Sequence, residues 1–260
     1  MSQIDMLPAN APDPERDRAY EVDRTPRGLV RAALEAHLSA RGASYSRTVC
    51  VAGHLVWHAD DGPLRVLDVC AGSGVWASEM RAWCERHGIP VEITALELRP
   101  EEREHLERVA DEVIIGDALD MLDDDHYFGA YRWHIVIGNP AFSLLAMGKP
   151  KAGEPERRSL LPVLLDLARA VVLLSTSQAF TRSEAAARWL HDHPPALELR
   201  IAQGVRFRAT SGTDTGSYSV TSWVPYQRHT LPGEAWPCRV LVLPASDRSW
   251  RVPPGQEGAP

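Results

Sequence analysis

The sequence predicts an α/β fold built around a mainly parallel sheet. Short runs of β-branched and apolar residues alternate with stretches that carry apolar residues at helical spacing, and such runs suit strands covered on both faces. Strands separated by helices form βαβ units with right-handed crossovers. The chain has 260 residues, of which 44% are hydrophobic and 24% charged, which is an ordinary globular composition.

Three segments divide the chain. Residues 1–24 are rich in Pro, Asp and Arg without periodicity, and they predict a flexible arm. The tail 246–260 is rich in Pro and Gly and is also predicted to be flexible. The intervening residues 25–245 are predicted to form a single domain.

The first element is a helix that begins at Thr25. The stretch "TPRGLVRAALEAHLSARG" has apolar residues at helical spacing and Pro26 in its first turn, and the helix is predicted to end near Gly42.

Eight strands and four helices follow. The predicted strands cover 65–69, 91–97, 112–115, 134–138, 171–175, 197–201, 218–224 and 238–244. The predicted helices cover 75–87, 101–110, 160–170 and about 182–192. Because the last strands have no helix between them, they predict antiparallel pairing at the C-terminal edge of the sheet.

Charge, cysteines and histidines exclude several classes of protein. The formal charge of −7 gives no global attraction to nucleic acid or anionic lipid, although a local basic surface remains compatible with it. No long apolar run or signal-peptide pattern occurs, so a cytoplasmic location is expected. The four cysteines form no C-x-x-C pair, and the pairs "HLVWH" and "HDH" lack a metal-site context, so no metal is expected.

The first three predicted parallel strands each end in an acidic residue or a glycine-rich turn. "LDVCAGSGVW" places Asp68 on the first strand and Ala71, Gly72 and Gly74 in the turn into a helix, where backbone amides can approach a ligand closely. The second strand ends at Glu97, which is suited to a ribose diol.

"GDALDM" after the third strand adds Asp117, suited to an exocyclic amine, and Ala118 beside it. Ligands bind at the carboxyl ends of strands in open α/β sheets, so these residues predict one cleft.

The fourth strand ends in an unusual way. "HIVIGNPAF" runs from a β-branched strand into Asn139 and Pro140, with Phe142 two residues later. Such an ending could be a plain turn with a core phenylalanine, but beside the three preceding strand ends it favours a catalytic role.

The order "LDVCAGSG", "ALE", "GDAL", "GNPAF" resembles the class I S-adenosylmethionine-dependent methyltransferases of the amino-methylating group. Within this group the chain is similar to the phage and prophage-type DNA adenine-N6 methyltransferases, over roughly Thr25 to Arg228. "TPRGLV" matches the family's N-terminal cofactor motif, and "GVRFRATSGTDTGSYSVTSWV" resembles its later strand pattern. The resemblance implies a Rossmann-like, seven-stranded sheet, S-adenosyl-L-methionine as the cofactor and DNA as the partner.

The resemblance also implies a role for each motif residue. The Asn139 side-chain oxygen and the Pro140 carbonyl would accept the two N–H groups of an adenine amine, which orients its lone pair without a strong base. Phe142 would stack on the flipped-out base. The residues implied to hold the cofactor are Asp68, Ala71, Gly72, Gly74, Glu97, Asp117 and Ala118, with Thr25 and Pro26 at its methionine end. One departure is Ala141, where the family usually has a second proline.

Two segments are candidates for contact with the substrate. Residues 143–159 contain Lys149 in a basic loop, and residues 203–230 contain Arg206 and Asp214, so these three side chains are the candidate substrate-binding residues. No separate target-recognition domain is evident.

Three functions stay open at this point. The leading interpretation is methylation of adenine N6 in DNA. The second keeps the chemistry but transfers the methyl group to an RNA base or a protein amide. The third is a catalytically inactive relative that binds cofactor or nucleic acid, for which Ala141 and the acidic net charge are the support.

Overall fold

The computed structural model describes residues 25–122, 132–145, 159–176, 184–201, 205, 217–225 and 239–243. The predicted arm 1–24 and tail 246–260 lie outside the described residues, as do parts of the two candidate substrate segments.

The described residues form two sheets. The smaller sheet is antiparallel and holds the first three strands, β1 (Leu38–Arg41), β2 (Thr48–Val51) and β3 (His54–His58). The larger sheet has eight strands in the order β11-β9-β10-β8-β7-β4-β5-β6. Its strands are β4 (Leu64–Val69), β5 (Val91–Glu97), β6 (Glu112–Ile115), β7 (Trp133–Gly138), β8 (Ala168–Thr176), β9 (Leu197–Ile201), β10 (Tyr218–Trp223) and β11 (Arg239–Leu243).

The predicted α/β class with a mainly parallel sheet is confirmed. Strands β8, β7, β4, β5 and β6 pair in parallel, and β10 pairs antiparallel with both β8 and β9. The sheet has eight strands instead of the seven implied by the resemblance, because β11 adds an outer strand parallel to β9. The antiparallel strand therefore lies inside the sheet, a position that suits β10 because all six of its residues are buried.

Seven helices accompany these strands within the described ranges. They are α1 (Arg27–His37), α2 (Val75–His87), α3 (Arg103–Leu106), α4 (Ala118–Leu122), α5 (Phe142–Leu145), α6 (Leu160–Leu167) and α7 (Glu184–Asp192). None of those helices combines the length and apolar character needed to cross a membrane.

Alternation along the central strands builds two hydrophobic cores, one on each face of the large sheet. On β4, Val66 belongs to the core that contains α1 and α2, whereas Leu67 belongs to the core that contains α6. On β7, Ile135 and Val136 divide in the same way. Burial on both faces explains why these strands read as continuous apolar runs in the sequence.

Helix α1 ends five residues earlier than predicted. The periodicity predicts an end near Gly42, but α1 stops at His37, and β1 starts at Leu38. The His37 carbonyl accepts a hydrogen bond from the Ala52 N–H, with an N–O distance of 2.7 Å. The turn between β2 and β3 thus takes the carbonyl that a longer helix would have used.

The small sheet was not predicted. Its tight turn between β2 and β3 uses Ala52 and Gly53, both with positive φ (51° and 89°). A two-residue hairpin turn of this kind favours Asn-Gly or Gly-Gly, which adopt a left-handed backbone at little cost. Because alanine occupies the first position here, the sequence does not show the pattern that would predict the turn.

Two other helices are also shorter than predicted. The predicted helix 160–170 ends at Leu167, and β8 begins directly at Ala168, which pairs with Trp133 of β7. Long-range strand pairing here overrides the helix propensity of "ARA". The predicted helix 101–110 is a 3₁₀ turn (Pro100–Glu102) followed by the single turn α3.

Two histidines are buried without charge. Burial lowers the pKa of His37 from 6.5 to about 4, against a backbone hydrogen bond at Val220 that raises it. Burial also lowers the pKa of His134 to about 4, assisted by the positive charges of Arg169 and Arg65. Since the His134 Nδ1 accepts the Arg65 N–H at 2.9 Å, the neutral ring is the form that fits.

We therefore expect these two histidines to contribute a loss of stability as the pH is lowered from 7.5 to 5, whereas Asp68, whose pKa is raised, contributes in the opposite direction. Unfolded histidines take up protons near pH 6.5, whereas the folded ones stay neutral until about pH 4, so acid favours the unfolded chain by about 2 kcal/mol per histidine at pH 5. Urea midpoints across this range measure the loss. His134→Asn keeps an acceptor near the Nδ1 position and should make the urea midpoint depend less steeply on pH. His191→Gln, at an exposed site, should leave this pH dependence unchanged. An equal pH dependence of the midpoint in the wild type and in His134→Asn would contradict this account.

Candidate functional site

The loops that follow β4 and β7 start side by side at the centre of the large sheet. The strand order reverses at this pair, and Val69 of β4 is in register with Gly138 of β7. A Cβ atom on Gly138, whose φ is 155°, would lie 2.3 Å from the Val69 carbonyl oxygen, so only glycine fits there. The open end of this pair is where α/β sheets bind their ligands.

The loop after β4 is a strained turn that leads into α2. Cys70, Gly72 and Gly74 all have positive φ, and a Cβ atom on Gly74 would lie 2.6 Å from the Val109 Cγ2 atom. The Asp68 Oδ2 atom accepts the Ala77 N–H at 2.9 Å and thereby fastens the first turn of α2 to β4. This arrangement holds the loop amides close to the strand end.

Asp68 lies wholly inside the protein. Its side chain has no solvent exposure, and its second oxygen, Oδ1, has no hydrogen-bond partner among the described residues. Burial raises the pKa of Asp68 well above its usual range, and the negative charge of Glu97 adds to the effect. The contact with Ala77 makes Asp68 a residue that shapes the loop, and its predicted contact with a cofactor stays a prediction.

Glu97 ties three of the predicted loops together. Its Oε2 atom accepts the Gly72 N–H at 2.7 Å, and its backbone carbonyl accepts the Gly116 N–H at 2.9 Å. A further backbone bond joins the Ala71 N–H to the Leu96 carbonyl at 3.0 Å. The acidic tip of β5 thus lies between the glycine loop after β4 and the Asp117 loop after β6, as the strand order predicts.

Arg99 belongs to this cluster but was missed by the sequence analysis. Its backbone N–H and Nε donate to the Glu97 Oε1 atom at 3.2 and 2.9 Å, and its guanidinium lies 3.5 Å from Glu102. Burial lowers the pKa of Arg99, but the hydrogen bond and charge of Glu97 outweigh burial and raise it overall. The pattern "ELR", with opposite charges two residues apart at a strand end, was the available indication.

The Asp117 loop forms the outer side of the site. The Asp117 Oδ1 atom accepts the Leu119 N–H at 2.8 Å and so caps the start of α4, while Ala118 is buried beneath it. Leu98, directly after Glu97 at the end of β5, is 62% exposed, which is unusual for a leucine next to a buried carboxylate. An exposed apolar side chain therefore follows the buried carboxylate of Glu97.

The turn after β7 is joined to the start of the domain. The Asn139 Nδ2 atom donates to the Thr25 Oγ1 atom at 3.0 Å, across 114 residues of sequence. Thr25 is buried, and the carbonyl of Pro26 accepts the first backbone hydrogen bonds of α1. The bond to Thr25 uses the donor end of the amide, so the Asn139 Oδ1 atom remains available as an acceptor.

The same turn contacts the glycine loop through Ala141. Burial raises the pKa of Cys70 to about 12, the charges of Glu97, Asp68 and Asp117 add to this shift, and the nearby Ala141 N–H opposes it. A proline at position 141, as in the family that the sequence resembles, would have no N–H to donate. Ala141 therefore lacks the rigidity of a proline ring but keeps an N–H beside the Cys70 thiol.

Phe142 begins α5 and is only partly buried. Its ring centroid lies 5.9 Å from that of Tyr218 on β10, with 45° between the planes, a favourable tilted contact. Pro140 is buried behind it. The structure thus brings Asn139, Pro140 and Phe142 to the same strand end as the glycine loop.

Three predicted residues lie outside the described part of the chain. They are the candidate substrate-binding residues Lys149, Arg206 and Asp214. Among the residues described, no cluster of His, Cys, Asp and Glu side chains is suited to a metal ion.

Comparison with known proteins identifies the fold. No protein-family model and no curated protein sequence matches the chain. A Listeria monocytogenes protein assigned to the class I S-adenosylmethionine-dependent methyltransferases superposes over 89% of this chain and 69% of its own, with a TM-score of 0.55 and 10% identity. A chain from a type I restriction-modification system superposes over 87% of this chain, with a TM-score of 0.50 and 15% identity, and this chain spans only 46% of its length. The fold is therefore that of a class I S-adenosylmethionine-dependent methyltransferase.

A double-mutant cycle tests whether the Ala141 N–H and the Cys70 thiol interact. Ala141→Pro removes the N–H, so we expect it to lower the free energy of unfolding by about 1 kcal/mol more in the wild type than in a Cys70→Ala background. Any effect of the proline ring on φ is common to both backgrounds and cancels. Urea denaturation of the four proteins gives the coupling, and strictly additive effects would show that the two groups do not interact.

Proposed function

We propose that this chain is an S-adenosylmethionine-dependent N-methyltransferase that methylates adenine N6 in DNA, acting on a flipped-out base. The observation that carries the proposal is the position of the Asn139-Pro140 turn, directly beside the glycine loop that Glu97 holds through Gly72, at the point where the strand order reverses. The Asn-Pro-x-Phe pattern in this place favours the phage and prophage-type enzymes over other amino-methylating enzymes.

The residues at the strand ends fit S-adenosyl-L-methionine. The Glu97 Oε2 atom accepts one hydrogen bond, from Gly72, which leaves lone-pair capacity for a ribose hydroxyl. The Asp68 Oδ1 atom is a buried acceptor without a partner in the described part of the chain, close below the loop. Gly72 and Gly74 adopt positive φ, which glycine tolerates without strain, and they leave the loop without side chains at these positions. When bound, the cofactor supplies an electrophilic methyl group on a sulfonium.

Each part of the site has a distinct role in holding the cofactor. Glu97 would bind the ribose diol, and Asp117 would accept the adenine amine, with Leu98 and Ala118 beside the base. Ala71, Gly72 and Gly74 form the loop that the cofactor crosses, and Asp68 holds that loop against β4. Thr25 and Pro26 would lie near the methionine end.

The amine that receives the methyl group would be held by two neutral oxygen atoms. The Asn139 Oδ1 atom and the Pro140 carbonyl would accept the two hydrogens of an exocyclic amine and direct the nitrogen lone pair out of the base plane. Because both acceptors are neutral, they stabilise the positive charge that develops on the nitrogen without removing its proton beforehand. Phe142, backed by Tyr218, would stack on the base, which is worth roughly 1–3 kcal/mol per base.

A second candidate function is the same methyl transfer to a different molecule. The same pair of oxygens fits any planar amine or amide, so an RNA base or a protein amide could occupy the site in place of adenine in DNA. A third candidate is an inactive binding relative, for which Ala141 in place of the usual second proline and the acidic net charge are the support.

Cofactor binding tests the role of Glu97. Glu97→Gln removes the negative charge that would accept the ribose hydroxyls, so we expect the dissociation constant for S-adenosylmethionine to rise about tenfold or more. Glu101→Gln, at an exposed position four residues along the chain, is the matched control and should leave affinity unchanged. Calorimetry at constant ionic strength measures both, and equal affinity for the two variants would remove Glu97 from the cofactor site.

Methyl transfer tests the reaction and the substrate. Labelled S-adenosylmethionine is offered with unmethylated duplex DNA, single-stranded DNA and total RNA in parallel, and we expect N6-methyladenine in DNA. Asn139→Ala removes one of the two acceptors and should lower kcat by about 10²-fold or more without changing cofactor affinity. Label in RNA alone would move the assignment to the second candidate. Cofactor binding without transfer to any of the three would overturn the proposal of a nucleic-acid methyltransferase.

A further inference from the structure

We infer that Thr25 is a positioning residue, which holds the side-chain amide of Asn139 so that its Oδ1 atom faces the amine to be methylated. The inference rests on the proposed function and deepens it. It assigns Thr25 an action on the acceptor side of the site, beyond the role near the methionine end that the sequence motif implies.

An asparagine at this position needs something to fix its orientation. The two ends of the amide have nearly the same shape, but only the oxygen can accept a hydrogen from an amine, while the nitrogen would oppose it with a second donor. A rotation of the amide by half a turn would therefore replace an attractive contact with a repulsive one. A group that accepts a hydrogen bond at the Nδ2 end stabilises the reactive orientation.

Thr25 is that group in the structure. Its Oγ1 atom lies 3.0 Å from the Asn139 Nδ2 atom and accepts the hydrogen bond. Thr25 is only 6% exposed, so little water competes for this contact. With its Nδ2 end bonded to Thr25, the amide has its oxygen, Oδ1, at the other end, where it can accept a hydrogen bond.

The backbone around Thr25 is restrained as well. The residue before a proline is limited to extended conformations, so Pro26 restricts the backbone of Thr25. The Pro26 carbonyl accepts from Leu29 and Val30 at 3.1 and 3.2 Å, and both of these side chains are fully buried. Thr25 is thus fixed directly ahead of a firmly anchored helix.

Further contacts connect α1, and with it Thr25, to the glycine loop. Arg31 of α1 donates two hydrogen bonds to the buried carboxylate of Glu79 on α2, at 3.0 and 3.3 Å. Asp68 ties the first turn of α2 to β4 through Ala77. The chain of contacts therefore runs from β4 through α2 and α1 to Thr25, and returns to the end of β7 at Asn139. The position of the Asn139 amide is therefore set by the same contacts that shape the glycine loop.

Two substitutions separate the hydroxyl from the packing of Thr25. Thr25→Val keeps the shape and loses the hydroxyl, while Thr25→Ser keeps the hydroxyl and loses a methyl group. We expect Thr25→Val to lower kcat about tenfold with cofactor affinity changed by less than about threefold, and Thr25→Ser to restore most of kcat. If Thr25→Val instead raises the cofactor dissociation constant and leaves kcat unchanged, Thr25 acts only on the cofactor and the inference is wrong.

A second readout needs no turnover. In protein labelled with ¹⁵N-asparagine, the side-chain NH₂ resonances of Asn139, assigned by their loss in Asn139→Ala, report the bond to Thr25. We expect slow hydrogen exchange in the wild type and in Thr25→Ser, and faster exchange in Thr25→Val. Unchanged exchange in Thr25→Val would overturn the inference. A wild type with a protected Asn139 amide but no transfer to any acceptor would instead count against the proposed function, which distinguishes the two failures.

Discussion

The parallel pairing of β4 with β7 is the interaction on which the rest of the site depends. At its end Gly138 approaches the Val69 carbonyl so closely that a single added carbon would lie 2.3 Å from the oxygen. This contact places the first residues of two loops in adjacent positions, one rich in glycine and one carrying Asn139 and Pro140. The strand order reverses at the same pair, so the two loops diverge and leave a cleft above the sheet edge. Any shift of one strand against the other would separate the atoms that the proposed reaction needs together.

Hydrogen bonds extend this alignment to the neighbouring strand ends. Glu97 accepts a hydrogen bond from the Gly72 amide, and its carbonyl accepts one from the Gly116 amide, so the ends of three neighbouring strands are joined. The turn after β7 is held by Thr25 at the Asn139 side chain. Acidic side chains dominate the proposed cofactor side, which raises the pKa values of Asp68 and Cys70 beyond the effect of burial. On the acceptor side the proposed contacts are neutral, as methylation of an amine requires.

Local patterns were sufficient to predict the central strands and the order of their loops. Apolar β-branched runs located β4, β5, β6 and β7, and parallel strands bring their carboxyl ends to one edge, so Glu97, Asp117 and Asn139 could be assigned to the same edge of the sheet. Features set by long-range contacts were missed. The end of α1 depends on Ala52, the small sheet depends on an alanine with positive φ, and the start of β8 depends on pairing with Trp133. The contact of Thr25 with Asn139 joins residues 114 positions apart, and no sequence spacing indicates it.

The central claim is that one cleft, between the β4 and β7 loops, holds both cofactor and acceptor. Amide NMR during titration with S-adenosylhomocysteine, the product form of the cofactor, tests this most directly, because each backbone N–H reports its own surroundings. The account predicts that the largest shifts occur at Gly72, Glu97 and Asp117, with smaller ones at Asn139 and Ala141, and that Gly53 and Gly62 in distant turns stay unchanged. Saturable binding that leaves Gly72 and Glu97 unperturbed would contradict it.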